Sequence, residues 1–428
     1  MLTYDDAIAL IDAIALRRQI ERVGIDHAYN RILAEDVRLG RDQPPFDRAT
    51  MDGYAIALPP AGAPPFPRYR VVGSIMAGAV YSGTVAPGQA VRIMTGAPCP
   101  AGTTVVPIEA IDRHSSGDAE SVAVTDPKML PPSPAQRRNV ALRAQDGAAG
   151  AVVVCAGTRL TPVTISVSAM AGARDLAVIV PPRLAIVTTG DELAAPPASG
   201  TAADASARIH DSNGPLLSAF AAALGLPHSR TRAPDDANAL QAELGNAAAI
   251  ADIVVTTGGV SAGDKDLVPT AAAALGYQTV FHHIALQPGK PVFLARKGDR
   301  FIVGLPGNPV SVLATAHLVL WPLLARFGGV AGPAWKTLPM AVDWRNRGDR
   351  RLFLPAMITR MGVEPIAWNG SGDLIAAGAG DCLLDLAPRS TCEPGVMVRV
   401  LPYVGGQNAE RERGVLPERP ARTNDRRN

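Results

Sequence analysis

Charge is scarce in this chain. Only 19% of its 428 residues are Asp, Glu, Lys or Arg, and 41 basic against 39 acidic side chains leave a formal net charge of +2. No global field is available to hold nucleic acid or anionic lipid, so neither is expected as a partner. Cysteine is equally sparse: Cys99, Cys155, Cys382 and Cys392 make no CxxC pair and no zinc-like spacing, which reads as four reduced, structural thiols. A long uninterrupted apolar run is missing too. The nearest, Phe301 to Ala325, is broken by Pro306-Gly307-Asn308-Pro309, and the remainder is short for a bilayer, so a buried helix is expected and no membrane span. Met1-Leu2-Thr3-Tyr4-Asp5-Asp6 carries acid where a secretory signal carries base, which predicts a cytoplasmic protein. No G-x-x-x-x-G-K-[ST] segment occurs, which argues against a P-loop nucleotidase, and neither GxSxG nor HExxH is present.

What is present reads as several domains, since a chain this long exceeds one ordinary core. Apolar residues at helical spacing (Ile8, Ile11, Ile14, Ala15) predict an amphipathic helix over Asp5 to Arg22. From Ala57 to Pro134, short Val- and Ile-rich runs cut by Pro and Gly predict a small β domain: Tyr69 to Ile75, Ala90 to Met94, Thr104 to Ile108 and Ser121 to Val124. Strand character resumes at Val152 to Leu160, and Pro162 to Gly172 reads as a helix. Arg183 to Met340 differs in kind. The apolar runs ending at Thr188-Thr189-Gly190 and Thr256-Thr257-Gly258 share one design, and Phe301 to Leu305 gives a third strand. Helical stretches at Leu216 to Leu224 and Asp236 to Ala249 lie between them, which predicts a parallel α/β sheet with ligands bound beyond its strand ends. After Gly328 short strands return (Leu338 to Trp344, Leu352 to Thr359, Val396 to Val404), and Glu410 to Asn428 reads as a solvated tail.

The polar residues at the strand ends carry the chemistry. Gly190-Asp191-Glu192 places two acids after the first strand; Gly258-Gly259-Val260-Ser261-Ala262-Gly263-Asp264-Lys265-Asp266 supplies a glycine loop whose amides can hold phosphate oxygens, and two more acids. Asn308-Pro309 reads as a helix start with Asn as N-cap, which attracts anions, and Lys290 adds a positive charge. Each motif alone is turn chemistry; together they describe an anion-binding crevice edged with carboxylates. Carboxylates beside phosphate point to a divalent cation such as Mg²⁺, with Asp52, Asp146, Asp191, Glu192, Asp211 and Asp266 as candidates. His282 and His283, adjacent on a predicted strand, should point to opposite faces and so cannot share a metal.

Seven segments, in order, resemble the MoeA/gephyrin family of molybdopterin molybdenumtransferases: Met51 to Ala55, Arg92 to Pro98, Thr189 to Leu193, Asp211-Ser212-Asn213, Gly258 to Ser261, Pro288 to Pro291, and Gly304 to Ser311. The resemblance runs from about Leu2 to Val404 and implies a multidomain α/β and β fold. It implies an elongated N-terminal domain (1–56 and 135–180), an inserted small β domain (57–134), a doubly wound α/β molybdopterin-binding domain (181–328), a C-terminal β barrel (335–405) and a disordered tail (406–428). The implied reaction takes adenylylated molybdopterin and molybdate, uses Mg²⁺ or a similar cation, and releases AMP. By motif position, Asp52, Thr95, Glu192 and Asp266 would be catalytic. Gly190, Asp211, Asn213, Gly258, Gly259, Ser261, Lys290, Pro306, Gly307, Asn308 and Ser311 would bind substrate, and Asp52, Asp146, Glu192 and Asp211 would hold metal. A homodimer is implied, with Asp52 and Thr95 facing the α/β domain of the other subunit; molybdopterin adenylyltransferase and molybdoenzymes or their chaperones are the implied partners. Ala141, Gln145 and Pro355 depart from the family pattern. The alternatives are the adenylyltransferase itself, whose single α/β domain is similar, and a non-catalytic molybdopterin-binding scaffold.

Overall fold

The computed structural model describes residues 1–60, 63–117, 119–132, 136–193, 209–260 and 267–406. Of the residues singled out above, the segment from Ser261 to Asp266, with its two acids, and the tail from 407 onward lie outside the described residues. The chain divides into two compact units, one of Gly24–Tyr29 and Glu35–Leu176, the other of Met1–Val23, Asn30–Ala34 and the chain from Ala177 onward.

The first element, α1 (Tyr4–Asp12), belongs to the second of these units and opens with a capping box. Thr3 Oγ1 accepts from the Asp6 amide at 3.1 Å, while the Asp6 carboxylate accepts from the Thr3 amide at 3.4 Å. The helix buries Tyr4, Ala7 and Ile11 and stops at Asp12, well short of the expected Arg22. Beyond Leu16 the polar Arg17-Arg18-Gln19 offers no apolar stripe to bury, and Ile20–Gly24 is a strand instead.

In the unit of Gly24–Tyr29 and Glu35–Leu176, six strands form one sheet: β1 (Gly53–Ala57), β2 (Tyr69–Ile75), β3 (Gln89–Ile93), β4 (Thr103–Pro107), β5 (Ile111–Ser116) and β6 (Ala119–Val124), in spatial order β4-β1-β3-β2-β6-β5. Period-two alternation sends Tyr54 and Ile56 into one core and Ala55 into another, so β1 is buried on both faces. The sheet therefore starts at Gly53 rather than at 57, because β1 is an inner strand paired with both β3 and β4. Gly53 is demanded by that pairing: a Cβ there would stand 2.0 Å from the Val106 carbonyl oxygen. Two short antiparallel ladders (Val37–Arg38 with Val152–Val154, Arg48–Ala49 with Val140–Ala141) and α2 (Pro162–Met170) complete this unit.

The other unit continues with β7 (Leu184–Thr189), α3 (Asn213–Ala223), β8 (His228–Ala233), α4 (Ala237–Ile250), β9 (Ile253–Thr257), α5 (Leu267–Ala274), β10 (Gln278–His282), β11 (Phe293–Lys297), β12 (Arg300–Leu305), α6 (Pro309–Thr315) and α7 (Trp321–Arg326). The sheet order is β8-β7-β9-β12-β11-β10. Helices cover both faces, with α3, α6 and α7 on one core cluster and α4 and α5 on the other. The sheet is parallel only from β8 to β12. Strand β11 alone runs antiparallel to both its neighbours, β12 and β10, correcting the expectation of a wholly parallel sheet: β11 and β12 are joined through the short Gly298-Asp299 turn, and a two-residue connection admits no crossover helix.

The C-terminal barrel is built from β13 (Lys336–Pro339), β14 (Arg351–Thr359), β15 (Gly362–Pro365), α8 (Leu374–Ala377), β16 (Cys382–Leu386) and β17 (Met397–Pro402). The ladder β13-β17-β16-β14-β15 closes on itself where Met340, just after β13, bridges Val363 of β15. Pro355 sits on β14 opposite Leu383, and its carbonyl still accepts from the Ile366 amide at 3.0 Å.

The stretch Pro309–Arg326 has the length and hydropathy to cross a membrane, but 72% of it is buried inside the fold, as expected of a core helix. A π-helical turn, Ala316–Leu320, interrupts it and places His317 at its centre, wholly buried. Nδ1 of His317 donates to the Leu313 carbonyl at 2.8 Å and Nε2 accepts from the Val404 amide at 2.9 Å, which fixes the neutral tautomer. Burial lowers its pKa to about 4. Because the folded pKa lies below the unfolded one, the unfolded chain takes up a proton first on acidification. The stability held by neutral His317 is complete above about pH 6.5 and is lost between there and pH 4, amounting to roughly 3 kcal/mol. Urea unfolding at pH 7 and pH 4.5 should show this loss in the wild type and a flatter dependence in His317→Gln; equal slopes would exclude His317 as its source.

Candidate active site

Three strand ends of the α/β sheet turn over glycines at one place. After β7, Gly190 has φ +134°, a conformation that excludes side chains, and the Glu192 carboxylate folds back over it: a Cβ on Gly190 would lie 2.6 Å from both carboxylate oxygens. After β9, Gly258 and Gly259 have φ +88° and +66°. Thr189 Oγ1 donates to the Thr257 carbonyl at 3.0 Å, and a Cβ on Gly258 would stand 2.8 Å from that same hydroxyl. After β12, Gly307 would bring a Cβ within 3.9 Å of the Gly258 Cα. The start of α3 joins them. Asn213 Nδ2 donates to the Gly307 carbonyl at 2.7 Å, and Asp211 Oδ1 accepts from the Gly214 amide at 2.9 Å. Gly190, Glu192, Asp211, Asn213, Gly258, Pro306, Gly307 and Asn308 thus share the carboxyl end of the sheet. Ser311 is buried in the first turn of α6, and a Cβ on Gly289, next to the exposed Lys290, would lie 3.6 Å from the Ser311 carbonyl oxygen.

Some amides expected to be open to an anion are already bonded. The Gly258 N–H donates to the Leu305 carbonyl at 3.0 Å, and the Val310 N–H to the Ser371 carbonyl, also at 3.0 Å. Gly258 therefore serves close approach between strand ends, not phosphate capture. Asn308 is the N-cap of α6, as read from the sequence, but its side chain makes no capping bond; Nδ2 donates instead to Ser371 Oγ at 2.9 Å. The histidine pair is a second correction. His283 lies just past β10 with φ +68°, which breaks the strand alternation, so the two rings stack at 3.9 Å instead of facing apart.

The other unit holds Asp52 and Thr95 as a pair. Asp52 Oδ1 accepts from both the Thr95 hydroxyl and the Thr95 amide at 2.7 Å, and these two bonds, with a smaller contribution from Arg92, hold its carboxyl below the usual range. Asp146 is exposed in the turn after Ala141, its amide bonded to the Gln43 carbonyl at 2.9 Å. Gln145 closes that turn, accepting from the Leu142 amide at 2.9 Å. Asp52 and Asp146 thus lie in one unit, Glu192 and Asp211 in the other. Among the described residues no group of three or more His, Cys, Asp or Glu is close enough to hold a metal ion, so the four expected ligands do not form one cage within them.

Sequence reasoning missed three contributors. Arg232, on edge strand β8, donates from Nη2 to the carbonyls of Gly190 at 2.9 Å and Leu193 at 2.7 Å. Asp235 and Asp191 exchange backbone-to-carboxylate bonds at 3.2 and 3.3 Å. Ser371 reaches Asn308 from the barrel. The one available signal was the Arg230-Thr231-Arg232 alternation, which puts two cations on one face of a strand beside β7. A cavity of about 640 Å³ lies elsewhere, on the barrel and α1, lined by Asp5, Arg351, Asp385 and Arg399. Arg351 already forks onto Asp385 with two bonds and reaches Asp5 with a third, so these charges satisfy one another and the strand ends remain the stronger catalytic candidate.

Comparison with known proteins gives three family matches in sequence order. The MoeA N-terminal region (domain I and II) matches residues 2–172, a probable molybdopterin binding domain 185–326, and the MoeA C-terminal region (domain IV) 337–403. A protein of Synechococcus elongatus named molybdopterin molybdenumtransferase is 33% identical, over 85% of this chain and 91% of its own. One of Mycobacterium tuberculosis, named molybdopterin molybdenumtransferase 2, is 35% identical over 73% of this chain and 76% of its own. The crystal structure of a molybdopterin biosynthesis MoeA protein from Pyrococcus horikoshii superposes with a TM-score of 0.76 at 28% identity, covering 94% of this chain and 99% of that one.

Proposed function

The chain belongs to the MoeA family, and on that footing we propose that it is a molybdopterin molybdenumtransferase, converting adenylylated molybdopterin and molybdate into molybdenum-loaded molybdopterin with release of AMP. The observation that carries this reading is the meeting of three glycine turns, two carboxylates and an asparagine at the carboxyl end of a doubly wound sheet, where such folds bind their ligands.

The residues divide the work. Gly190, Gly258 and Gly307 let the strand ends close on one another and bring Glu192 over the backbone, since a Cβ on Gly190 or Gly258 would collide with Glu192 or Thr189. Asn213 is locked by its bond to Gly307 and orients what lies beside it. Lys290 and the start of α6 favour the phosphate end of the substrate. The bond to break joins pterin phosphate to adenylate: water adds to phosphorus, the phosphate oxygen leaves with AMP or pterin, and a carboxylate removes the water proton. Glu192 is the carboxylate we assign to that proton. Mg²⁺ takes one or two protein carboxylates and otherwise waters and phosphates, a requirement that Glu192 and Asp211, both beside the end of β7, fit; it would neutralise phosphate charge. We place the chain in the cytoplasm as a homodimer, with the ionised Asp52 and its Thr95 partner serving the strand ends of a second copy, upstream partners supplying adenylylated pterin and molybdoenzymes receiving the product.

The test is AMP release from adenylylated molybdopterin with Mg²⁺, with and without molybdate, followed by reconstitution of an apo-molybdoenzyme. Molybdate-dependent AMP and restored activity are expected. Consumption of ATP would make the protein an adenylyltransferase, and tight pterin binding without AMP would make it a scaffold.

A further inference from the structure

We infer that Arg232 is a positioning residue for the reaction, holding the Glu192 carboxylate over Gly190 from the edge strand; this inference rests on the proposed function for its catalytic part. The loop it governs is short and unusually placed. Gly190 to Leu193 leaves β7 in a conformation open only to glycine, and both bonds from Arg232 Nη2 fall on the carbonyls at the two ends of that loop, 2.9 Å to Gly190 and 2.7 Å to Leu193. Asp191 and Glu192 lie between the two fixed points. Glu192 is then held further by its own carbonyl, which accepts from the Ile209 amide at 2.8 Å, while Asp191 is held through Asp235. A loop pinned at both ends by one charged group presents its carboxylate without an ordering cost at the moment of reaction.

The placement of Arg232 follows from the ladder. On β8 it stands beside Thr188 of β7, and Arg230, two residues earlier on the same face, stands beside Ile186. That face looks toward α3: a Cβ on Gly214 would meet Arg230 Cδ at 2.9 Å and Asp211 Oδ2 at 2.5 Å. The edge strand is exposed along five of its six residues, so burial does not explain two arginines in register with the site.

Arg232→Met tests the inference by turnover and by hydrogen exchange. Turnover of AMP release at saturating substrate should fall about 10- to 100-fold with KM within about twofold, because the lost element is geometry at the reacting atoms and not substrate grip. In a Glu192→Gln background, read by single turnovers, Arg232→Met should change the rate less than about twofold. An equal fall in both backgrounds would show that Arg232 acts other than through Glu192 and would overturn the inference. Arg232→Lys, whose ammonium has donors for both carbonyls but lacks the planar guanidinium that fixes the nitrogen between them, should lie between wild type and Met. Amide exchange at Asp191 and Leu193 should speed up in Arg232→Met while α3 and α4 stay protected. Unchanged protection there would sink the positioning role whatever the activity; faster exchange in an enzyme whose wild type releases no AMP would leave the tie standing and remove the proposed reaction.

Discussion

Asparagine in place of Asp52 is expected to lower molybdate-dependent AMP release by about 10²-fold or more at saturating substrate, with the fold undisturbed. The substitution is informative because the structure isolates the charge from the geometry. Both bonds from Thr95 fall on Oδ1, and an asparagine carbonyl accepts the same pair, so the turn before β1 keeps its shape. What disappears is the negative charge that those bonds sustain. Thr95→Val makes the complementary change. It removes the hydroxyl bond, keeps the amide bond, and lets the Asp52 carboxyl rise toward its ordinary value, so the acid limb of the pH–rate profile should move to higher pH while the plateau near neutrality is largely retained. Because Asp52 lies on the surface, thermal stability should change only slightly in either variant. Turnover of Asp52→Asn within twofold of wild type would remove this residue from the mechanism, and an unshifted acid limb in Thr95→Val would mean that the titrating group is another.

The strand ends were legible from sequence because the physics that builds them is local. Leu184 to Thr189 and Ile253 to Thr257 are apolar runs closed by Thr-Thr-Gly, and a strand buried on both faces followed by glycine needs no distant partner to be recognised. Occupancy of the amides was not legible. Whether the Gly258 N–H is open depends on Leu305, and whether the Val310 N–H is open depends on Ser371, residues far along the chain that only the closed sheet and the barrel bring near. Arg232 was hidden for a related reason: His228 to Ala233 is exposed along most of its length, so it carries no apolar alternation to mark it as a strand, and the role of its arginine exists only once β8 lies beside β7. The reversal of β11 and the stacking of His282 on His283 both turn on backbone events at single residues, Gly298 with φ +60° and His283 with φ +68°, that composition does not announce.

Removing Asp385 is expected to cost about 3 to 5 kcal/mol of stability, far more than removing the other carboxylate on the same arginine. Arg351 on β14 forks onto Asp385 of β16 with two bonds of 2.7 Å and sends a third, also 2.7 Å, to Asp5 of α1. The two acids differ in exposure: the Asp385 side chain is 5% exposed and that of Asp5 77%. The guanidinium lies against the touching rings of Tyr4 and Phe353, 5.1 and 5.6 Å from their centroids, and the bonds to Asp385 raise its already high pKa, so it cannot shed its charge when its partner goes. Asp385→Ala therefore leaves a largely buried cation with only the exposed Asp5 to meet it, whereas Asp5→Ala removes a solvent-screened contact worth about 0 to 1 kcal/mol. The same reasoning makes the paired change milder than the single one: Asp385→Leu with Arg351→Met replaces the ion pair by apolar volume and should recover most of the loss. Chemical denaturation of the three variants beside the wild type decides it, for if Asp385→Ala and Asp5→Ala lose the same stability, the difference in desolvation does not set the strength of this pair.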